Sequence, residues 1–520
     1  MSLTDKIIKN TFYHLLTQII GIFFPIILTP FIIAYIGQVE FGIYALVLGL
    51  IGTFGLFDLS LSTSFIKFIS EHYNKKEFDE LNKTINTGLF FYVTFSIVTC
   101  LVVYLFSFQI VRLINIPENL EETAVYALRI GLVIFFLATS STIFVSVLIS
   151  LQKMYINSIL GLIVNFLNFC ITILLLKLGY GLNGVLYSQL GTVFISVIIN
   201  IILAKRALPE MRLGFGSLNY LSFKKMSNIG VQMQISKIAS FLSDKYDEFL
   251  LSYFSVLNNV TFFNLAGRIT RFGKFFPLQL FQQVAPAAAE LNAKDKKDKL
   301  DQLFTDSTKY LTLASLPIFF YIFTFADLII VTWMGEGYTF SVYLLRILVI
   351  GQVLNLMISA PGNSIIPNLG IPKYQMYEGL IGLGLNLVLS FLFIKYYGIL
   401  GAAIGNTIAT VISSIYVYFT STAFFKVNRF QFTLRSYFFP FSVCLIISLI
   451  MHLLFYFLGT GNFNSINRLT GIFYILSSGI IFMFLYTVTM LKSKYATNRD
   501  RENLLRFKKL IFTTKKDEPI

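Results

Sequence analysis

Charged residues are scarce along this 520-residue chain, at 13% of the sequence, whereas 56% of its residues are hydrophobic. Soluble domains carry about 25% charged residues, so the composition argues against an ordinary soluble protein. Apolar residues also run almost unbroken over long stretches, as in 97–108 and 380–393. About 20 apolar residues in a helix cross the roughly 30 Å hydrocarbon core of a bilayer. The chain is therefore predicted to span a membrane many times.

Cysteine and histidine are scarce too, with three of each. Cys100, Cys170 and Cys444 lie inside hydrophobic stretches far apart in sequence, as apolar residues of membrane helices do. The sequence has no HExxH, CxxC or phosphate-cradling motif. We therefore expect no metal site, no cofactor and no catalytic centre. The amino terminus does not have the pattern of a removable signal peptide, so we expect the first hydrophobic stretch to be retained.

The hydrophobic stretches predict an all-α polytopic membrane protein with about 14 transmembrane helices. The predicted spans are 11–36, 41–66, 84–108, 123–149, 156–177, 184–204, 226–252, 257–287, 306–331, 341–366, 376–397, 401–425, 437–458 and 467–491. No connection between them is long enough to hold a soluble domain. The function is therefore expected to lie between the helices.

Basic residues are distributed unevenly between the predicted connections. With the amino terminus inside, the inner connections and tails carry twenty-nine Lys and Arg, and the outer ones carry only Arg112, Lys177, Lys395 and Arg468. Such asymmetry orients membrane helices, because basic loops are retained on the cytoplasmic side. We expect both termini in the cytoplasm of a bacterial inner-membrane protein. The same asymmetry explains the formal net charge of +15 without a nucleic-acid partner.

Four pairs of similar positions indicate an internal repeat with an offset near 220 residues. The pairs are Gly181 and Gly398, Lys153 and Lys373, Asn165 and Asn386, and Tyr35 and Tyr253. Because six helices separate equivalent positions, both copies have the same orientation, which is the parallel-repeat design of some transporters. The predicted organisation is an N-lobe at 1–204, a cytoplasmic linker at 205–225, a C-lobe at 226–425, two appended helices within 426–491 and a basic tail at 492–520.

Ionisable side chains inside predicted spans are functional candidates, because each costs roughly 2.5–3.5 kcal/mol at the centre of a membrane helix. Around the seventh helix, Lys237 lies within about 20° of both Asp244 and Glu248. Asn264, Arg268 and Arg271 recur at i, i+4 and i+7 on the eighth, and Lys274 continues the stripe. Cations with no acid on their own helix favour an anionic substrate.

A structural interpretation competes with this one. Arg129 and Arg346 could instead pair with Asp58 or Asp327 and hold helices together. Prolines inside the predicted spans add a dynamic signal, since each removes a helical hydrogen bond and bends its helix. They suit a protein that rocks between two states and equally suit a static kinked bundle. These prolines are Pro25, Pro30, Pro277, Pro286, Pro317 and Pro361.

Several segments resemble the polysaccharide-biosynthesis flippases, the O-antigen branch of the multidrug/oligosaccharidyl-lipid/polysaccharide exporter superfamily, which includes the drug exporters known as MATE transporters. The resemblance is carried by Lys9-Asn10 through Pro30, Tyr35-Ile-Gly37 with Phe41-Gly-Ile-Tyr44, Phe57-Asp58-Leu59-Ser60-Leu61, Phe68-Ile-Ser-Glu71, and Gly398 with Gly401-Ala-Ala-Ile-Gly405. Ser60 departs from the pattern, since relatives often have Gly there. The positions are diffuse but extend over nearly the whole chain.

The resemblance implies a substrate of undecaprenyl pyrophosphate bearing a short glycan, such as an O-antigen or capsule repeat unit, which is moved to the outer leaflet by alternating access. A glycan polymerase would be a partner. The expected substrate-binding residues are Arg268, Arg271, Lys274, Lys237, Arg129 and Asn264. Since no nucleotide site is present, an H⁺ or Na⁺ gradient would supply the energy. Its candidate coupling carboxylates are Asp58, Asp244, Asp247 and Glu248.

Other functions remain open on the sequence alone. A cation-coupled drug exporter usually has twelve spans and a cavity suited to organic cations, which fits the basic stripe poorly. A lipid II flippase of the same fold is hardly distinguished by sequence. A membrane glycan polymerase or ligase would have a similar number of spans, but such enzymes need a long outer loop, and this chain has none. A channel is disfavoured because the sequence has no filter-like segment.

Overall fold

A computed structural model of the chain describes residues 3–55, 61–214, 231–281, 284–457, 467–493 and 495. Every regular element in these ranges is a helix, which confirms the predicted all-α class. The helices divide into two compact units. The first contains residues up to Arg268 together with Gln375–Ser413, and the second contains Ile269–Tyr374 and the chain from Ser414 onward. The six-plus-six lobe division and its axis stay predictions.

Seven helices open the first unit, and α8 and the first half of α9 follow them. Within the unit α1 packs on α5, α6 and α8, and α5 packs on α3 and α7. The helices are α1 (Leu3–Gly55), α2 (Leu61–Lys75), α3 (Phe78–Leu105), α4 (Ser107–Leu113), α5 (Glu118–Ser150), α6 (Met154–Lys177), α7 (Gly181–Ala207), α8 (Val231–Phe254) and α9 (Leu257–Phe281).

The second unit begins midway along α9 and includes the two helices that the sequence predicts to be appended to the repeat. There α16 packs on α11, and α17 packs on α12 and α16. The Tyr321 hydroxyl on α11 donates to the carbonyl of Ile475 on α17. The remaining helices are α10 (Val284–Ala293), α11 (Lys297–Thr324), α12 (Ala326–Met334), α13 (Thr339–Ile365), α14 (Lys373–Phe424), α15 (Arg429–Thr433), α16 (Phe439–Phe457) and α17 (Arg468–Lys492).

Two helices are too long for one membrane crossing. Helices α1 and α14 have 53 and 52 residues, or about 80 Å each at 1.5 Å per residue, against a hydrocarbon core of roughly 30 Å. Each is broken at one glycine with positive φ, Gly37 (77°) and Gly398 (57°). Left-handed backbone of this kind costs least at glycine. Each long helix is therefore a pair of helices joined without a loop.

The described residues contain nine helices long and apolar enough to cross a membrane, or ten if α11 and α12 form one bent span. This count confirms a polytopic protein but not the number fourteen. It takes each glycine-broken helix as one crossing, and it leaves out α8 and α9, whose charged side chains lower their hydropathy. The predicted span 306–331 is interrupted, since the chain bends by 69° between Thr324 and Ala326. The predicted span 41–66 is not one continuous described helix, because α1 ends at Gly55.

A repeated hydrogen bond supports the internal repeat. In α6 the Thr172 hydroxyl donates to the side-chain carbonyl of Asn168 over 2.9 Å, and in α14 Ser390 donates in the same way to Asn386 over 2.7 Å. The offset is 386 − 168 = 218, close to the 217 that separates Gly181 and Gly398, which both have positive φ. Asn386 thus shares this bond with Asn168, and its predicted equivalence with Asn165 stays a prediction.

Candidate functional site

A chain of polar contacts connects three helices of the first unit. On α8, Lys245 Nζ lies 3.0 Å from both carboxylate oxygens of Glu248. On α9, the side-chain amide of Asn264 donates to Glu248 over 3.0 Å and accepts from Arg268 Nε over 2.9 Å. Arg268 Nη1 in turn donates to the hydroxyl of Thr29 on α1 over 2.9 Å. These five residues are called the Arg268 network below.

The spacing of these residues explains why the network forms. Lys245 and Glu248 are separated by one turn of α8, and Asn264 and Arg268 by one turn of α9, so each pair lies on one helix face. Glu248 is only 2% exposed, and Thr29 and Asn264 are buried as well. A buried charge is tolerated only when it is paired and hydrogen-bonded. Two basic side chains and one acidic side chain give the network a formal charge of +1.

Thr29 lies in α1 between Pro25 and Pro30, which both interrupt the helical hydrogen bonding. Its hydroxyl donates to the carbonyl of Pro25 over 2.5 Å while it accepts from Arg268. The guanidinium carbon of Arg268 also lies 5.4 Å from the centre of the Phe41 ring, within the range of a cation–π contact. Arg268 therefore bridges α9 to the proline-bent part of α1.

A second buried carboxylate lies elsewhere on α8. Asp247 is 0% exposed, and one of its oxygens accepts from the side-chain amide of Asn406 on α14 over 2.7 Å. Asn386, also on α14, donates to the α8 carbonyl of Ser243 over 2.9 Å. Amide side chains of α14 thus fix the position of α8 beside Asp247. A carboxylate held in this way could bind a small cation or take up a proton.

The described contacts of Arg129 are with residues outside the Arg268 network. Its guanidinium carbon lies 4.4 Å from the centre of the Tyr104 ring and 5.6 Å from that of Phe108, and Nη2 donates to Ser107 over 3.4 Å. These partners belong to α3 and α4. The observed contacts of Arg129 join α5 to α3 and α4, and its role in substrate binding stays a prediction.

The other predicted site residues fall into two groups. Arg271 is exposed and Lys274 half-buried, and both continue α9 beyond Arg268. The side chains of Lys237 and Asp244, and the whole of Asp58, lie outside the described residues. Of the predicted set, Arg268, Asn264 and Glu248 are brought together, and Asp247 forms its own site. The pairing considered for Arg346 is confirmed in the second unit, where Nη2 donates to the carboxylate of Asp327.

Four residues of these sites were not predicted, namely Thr29, Lys245, Asn386 and Asn406. Lys245 is three residues from Glu248, and this spacing alone predicts an ion pair on a helix. Thr29 follows Pro25 by four residues, where a hydroxyl commonly bonds back to a helical carbonyl, but this spacing does not point to Arg268. Asn406 has no comparable signal, because its partner is 159 residues away in sequence.

A group of hydrogen bonds joins the end of α8 to the segment after α4. The Ser252 hydroxyl donates to the carbonyl of Ile114 over 2.6 Å, and the Asn115 amide donates to the carbonyl of Tyr253 over 3.1 Å. These four residues are called the clasp below. Close by in sequence, the Thr261 hydroxyl on α9 donates to the carbonyl of Gln38 over 2.6 Å.

Glycine permits a close approach beside these bonds. A Cβ atom at Gly42 of α1 would lie 2.7 Å from the carbonyl oxygen of Leu257, the first residue of α9. Further along α1, a Cβ at Gly52 would lie 2.8 Å from the Phe241 ring. Any larger residue at Gly42 would have to displace backbone. The contact of α1 with α8 and α9 therefore depends on small residues as well as on hydrogen bonds.

The helical fold, its multiple apolar spans and its buried ionic network define a polytopic membrane protein of the transporter class. The fold is that of two groups of solved structures. One is the lipid II flippase MurJ in an inward closed conformation, with a TM-score of 0.69 and 16% identity over 96% of this chain and all of that one. The other is an inward-facing MATE multidrug resistance transporter, with a TM-score of 0.67 and 15% identity over 79% of this chain and 94% of that one.

The chain belongs to the polysaccharide biosynthesis protein family of the multidrug/oligosaccharidyl-lipid/polysaccharide exporter superfamily, since that family's profile matches residues 7–292. The MatE profile also matches residues 235–392. A protein of Shigella flexneri named "Putative O-antigen transporter" is 24% identical over 79% of this chain and 96% of its own length. The "Probable low-salt glycan biosynthesis flippase Agl15" of Haloferax volcanii is 22% identical over 46% of this chain and 50% of its own length.

Proposed function

We propose that the protein is a flippase for an oligosaccharide linked to undecaprenyl pyrophosphate, an O-antigen or capsule repeat unit, which it moves from the cytoplasmic to the outer leaflet. The Arg268 network is the observation that carries the proposal. It puts a guanidinium and a formal charge of +1 inside a chain whose family is that of polysaccharide biosynthesis. The names of the two relatives support a lipid-linked glycan as cargo.

The chemistry of the substrate fits Arg268. A pyrophosphate has several charged oxygens, and a guanidinium binds such oxygens with paired donors and keeps its charge at any physiological pH. Arg271 lies one turn further along α9, about 60° round the helix from Arg268, and Lys274 continues the stripe with further drift. Lys237 belongs to the proposal as a further cation. The lipid tail would remain in the bilayer throughout, because its transfer into water is strongly unfavourable.

Alternating access requires that contacts on one side of the protein break when the other side closes. The clasp and the contact at Gly42 lie at ends of helices that the basic asymmetry predicts to be outside. We propose that they close the outer side in this conformation and open for release of the glycan. Insertion in the cytoplasmic membrane with both termini inside belongs to the same proposal.

An ion gradient is the proposed energy source, and Asp247 is its strongest candidate among the carboxylates considered. It is buried, and its partners include the neutral amide of Asn406. Glu248 is tied to Lys245 and Asn264, so it is better suited to holding the network together. Asp58 and Asp244 remain candidates on sequence grounds. The coupling ion would be H⁺ or Na⁺.

Complementation tests the function in cells. The chain and its Arg268→Ala and Arg271→Ala variants are expressed in a strain that lacks its O-antigen flippase, and surface glycan is measured with membrane protein level as a control. Arg112→Ala is the matched control, because Arg112 is an exposed arginine paired with Glu121. The unchanged chain and the control should export glycan, and Arg268→Ala should lose most of it.

The same proteins, expressed in a strain depleted of its lipid II flippase, test the main alternative. If the protein rescued growth of the lipid II flippase-depleted strain but did not restore surface glycan in the strain without its O-antigen flippase, the substrate would be lipid II instead of the one proposed. Export at the unchanged rate by both Arg268→Ala and Arg271→Ala would refute the assignment of the basic stripe to substrate binding.

A further inference from the structure

The side-chain amide of Asn264 is bonded at both ends. Its nitrogen donates to Glu248, and its oxygen accepts from Arg268 Nε. An amide nitrogen can only donate and an amide oxygen can only accept, so the two charged neighbours fix the orientation of Asn264. Glu248 is itself held by Lys245. If Arg268 exchanged its bond to Asn264 for another partner, the contacts of the buried carboxylate of Glu248 would therefore be disturbed as well.

The other described hydrogen bond of Arg268 has a different character. Thr29 offers Nη1 a neutral hydroxyl oxygen, and that hydroxyl already donates to the carbonyl of Pro25. If Arg268 turned away, the Thr29 hydroxyl would keep the hydrogen bond that it donates to Pro25 and lose only the one that it accepts from Arg268. A phosphate oxygen makes a charge-assisted bond to a guanidinium, roughly twice as strong as a bond to a neutral acceptor. The bond to Thr29 is therefore the easier one to exchange.

We propose that Asn264 is the fixed positioning residue of Arg268 and that Thr29 is its exchangeable partner, displaced from Nη1 by an oxygen of the substrate pyrophosphate. This inference rests on the proposed function and deepens it. The bond from Arg268 Nε to Asn264 keeps the guanidinium in its orientation, while Nη1 exchanges Thr29 for the pyrophosphate oxygen. The exchange would also detach α9 from the proline-bent part of α1 when substrate binds. Recognition of the anion would thereby loosen a contact between helices that must move.

The proposal predicts opposite effects for the two positions. Thr29→Val keeps the shape of the side chain but removes the competing acceptor, so undecaprenyl pyrophosphate should bind about three- to tenfold more tightly. Asn264→Leu removes the positioning bond, so the same lipid should bind at least about tenfold more weakly. If the two residues had purely structural roles, both substitutions would weaken binding of undecaprenyl pyrophosphate, or neither would. Thr29→Ser keeps the competing acceptor and should therefore not show the tighter binding of Thr29→Val.

A paired exchange tests the role of Asn264 more closely. Asn264→Asp keeps the acceptor for Arg268 but places a second acid beside Glu248 and cancels the formal charge of the network. Combining it with Glu248→Gln restores both the charge and a donor–acceptor pair between the two positions. The single variant should lose about tenfold in affinity, and the double variant should recover most of it. Asn259→Leu on the same helix, where the amide bonds to Ser255, is the control.

The experiment measures binding of undecaprenyl pyrophosphate and of uncharged undecaprenol to the purified full chain in detergent, with melting temperature as a check on folding. Weaker binding by Thr29→Val, or unchanged binding by both Asn264 variants, would overturn the proposal while leaving the function intact. Failure of the unchanged chain to prefer the pyrophosphate over undecaprenol would overturn both.

Discussion

The buried hydroxyl of Ser252 donates a 2.6 Å hydrogen bond to the carbonyl of Ile114, 138 residues earlier in the chain. The next residues reverse the pattern, since Asn115 donates to the carbonyl of Tyr253. Two neighbouring residues on each side thus hold the end of α8 against the segment after α4. Each bond joins a side chain to backbone, so either can be removed without leaving a charge unpaired.

Loss of both clasp bonds should favour the state open to the outside. The double variant Ser252→Ala with Asn115→Ala should raise labelling of a cysteine at Leu257 by a membrane-impermeant maleimide at least about fivefold, given roughly 1 kcal/mol per bond. The measurement uses sealed cells expressing a chain with its three native cysteines replaced. Ser477→Ala is the control, since the described hydrogen bonds of that hydroxyl stay within its own helix. Unchanged labelling would show that the clasp does not control access.

Gly42→Ala should destabilise the same contact. Its Cβ would lie 2.7 Å from the Leu257 carbonyl oxygen, and backbone must move to relieve the overlap. Overpacking of this kind costs about 1–3 kcal/mol, so the melting temperature in detergent should fall by several degrees. Gly384→Ala serves as the control, because a Cβ there meets nothing within 4 Å. Equal melting temperatures for the two variants would contradict the close approach.

Asp247→Asn should remove the dependence of export on the ion gradient, if Asp247 is the coupling carboxylate. The amide is nearly isosteric but does not ionise. Transport into vesicles of a lipid-linked glycan, measured with and without an imposed H⁺ or Na⁺ gradient, provides the comparison. Asp306→Asn, on α11 of the other unit, is the control. Persistent gradient dependence in the Asp247 variant would assign coupling to another residue.

Labelling from either side tests the predicted orientation. Single cysteines at Glu122 and Glu210 occupy exposed positions in an expected outer and inner segment, respectively. The first should react with an impermeant reagent in intact cells, and the second only after permeabilisation. If the cysteine at position 210 reacted with the impermeant reagent in intact cells, the orientation derived from the basic residues would be wrong.

The sequence was sufficient for the fold class and the family, because both depend on properties spread along the chain. Predictions from long apolar runs and from the diffuse resemblance to polysaccharide flippases rest on many positions, so an error at one position does not change them. Individual boundaries were less predictable. The apolar stretch 306–331 contains no signal for the bend of 69° that separates Thr324 from Ala326. Such a bend depends on what α12 packs against.

Site residues were predictable where one helix supplied the signal. The stripe of Asn264 and Arg268 follows helical spacing, and these residues do bond to each other. Arg129 was predicted from its charge inside a predicted span. Its guanidinium nevertheless lies beside the rings of Tyr104 and Phe108. Periodicity places a residue on its own helix but does not identify the neighbouring helix. The bond from Thr29 to Arg268 spans 239 positions and could be found only in the structure.

Flipping by the purified protein tests the central claim most directly. The chain is reconstituted in liposomes with an oligosaccharide linked to undecaprenyl pyrophosphate, and the fraction reaching the opposite leaflet is followed with a glycan-cleaving enzyme. Arg268→Lys should keep part of the rate, and Arg268→Ala should lose at least about tenfold, as expected for a charged hydrogen bond to phosphate. Transport by Arg268→Ala at the rate of the unchanged protein, with equal amounts reconstituted, would contradict the account.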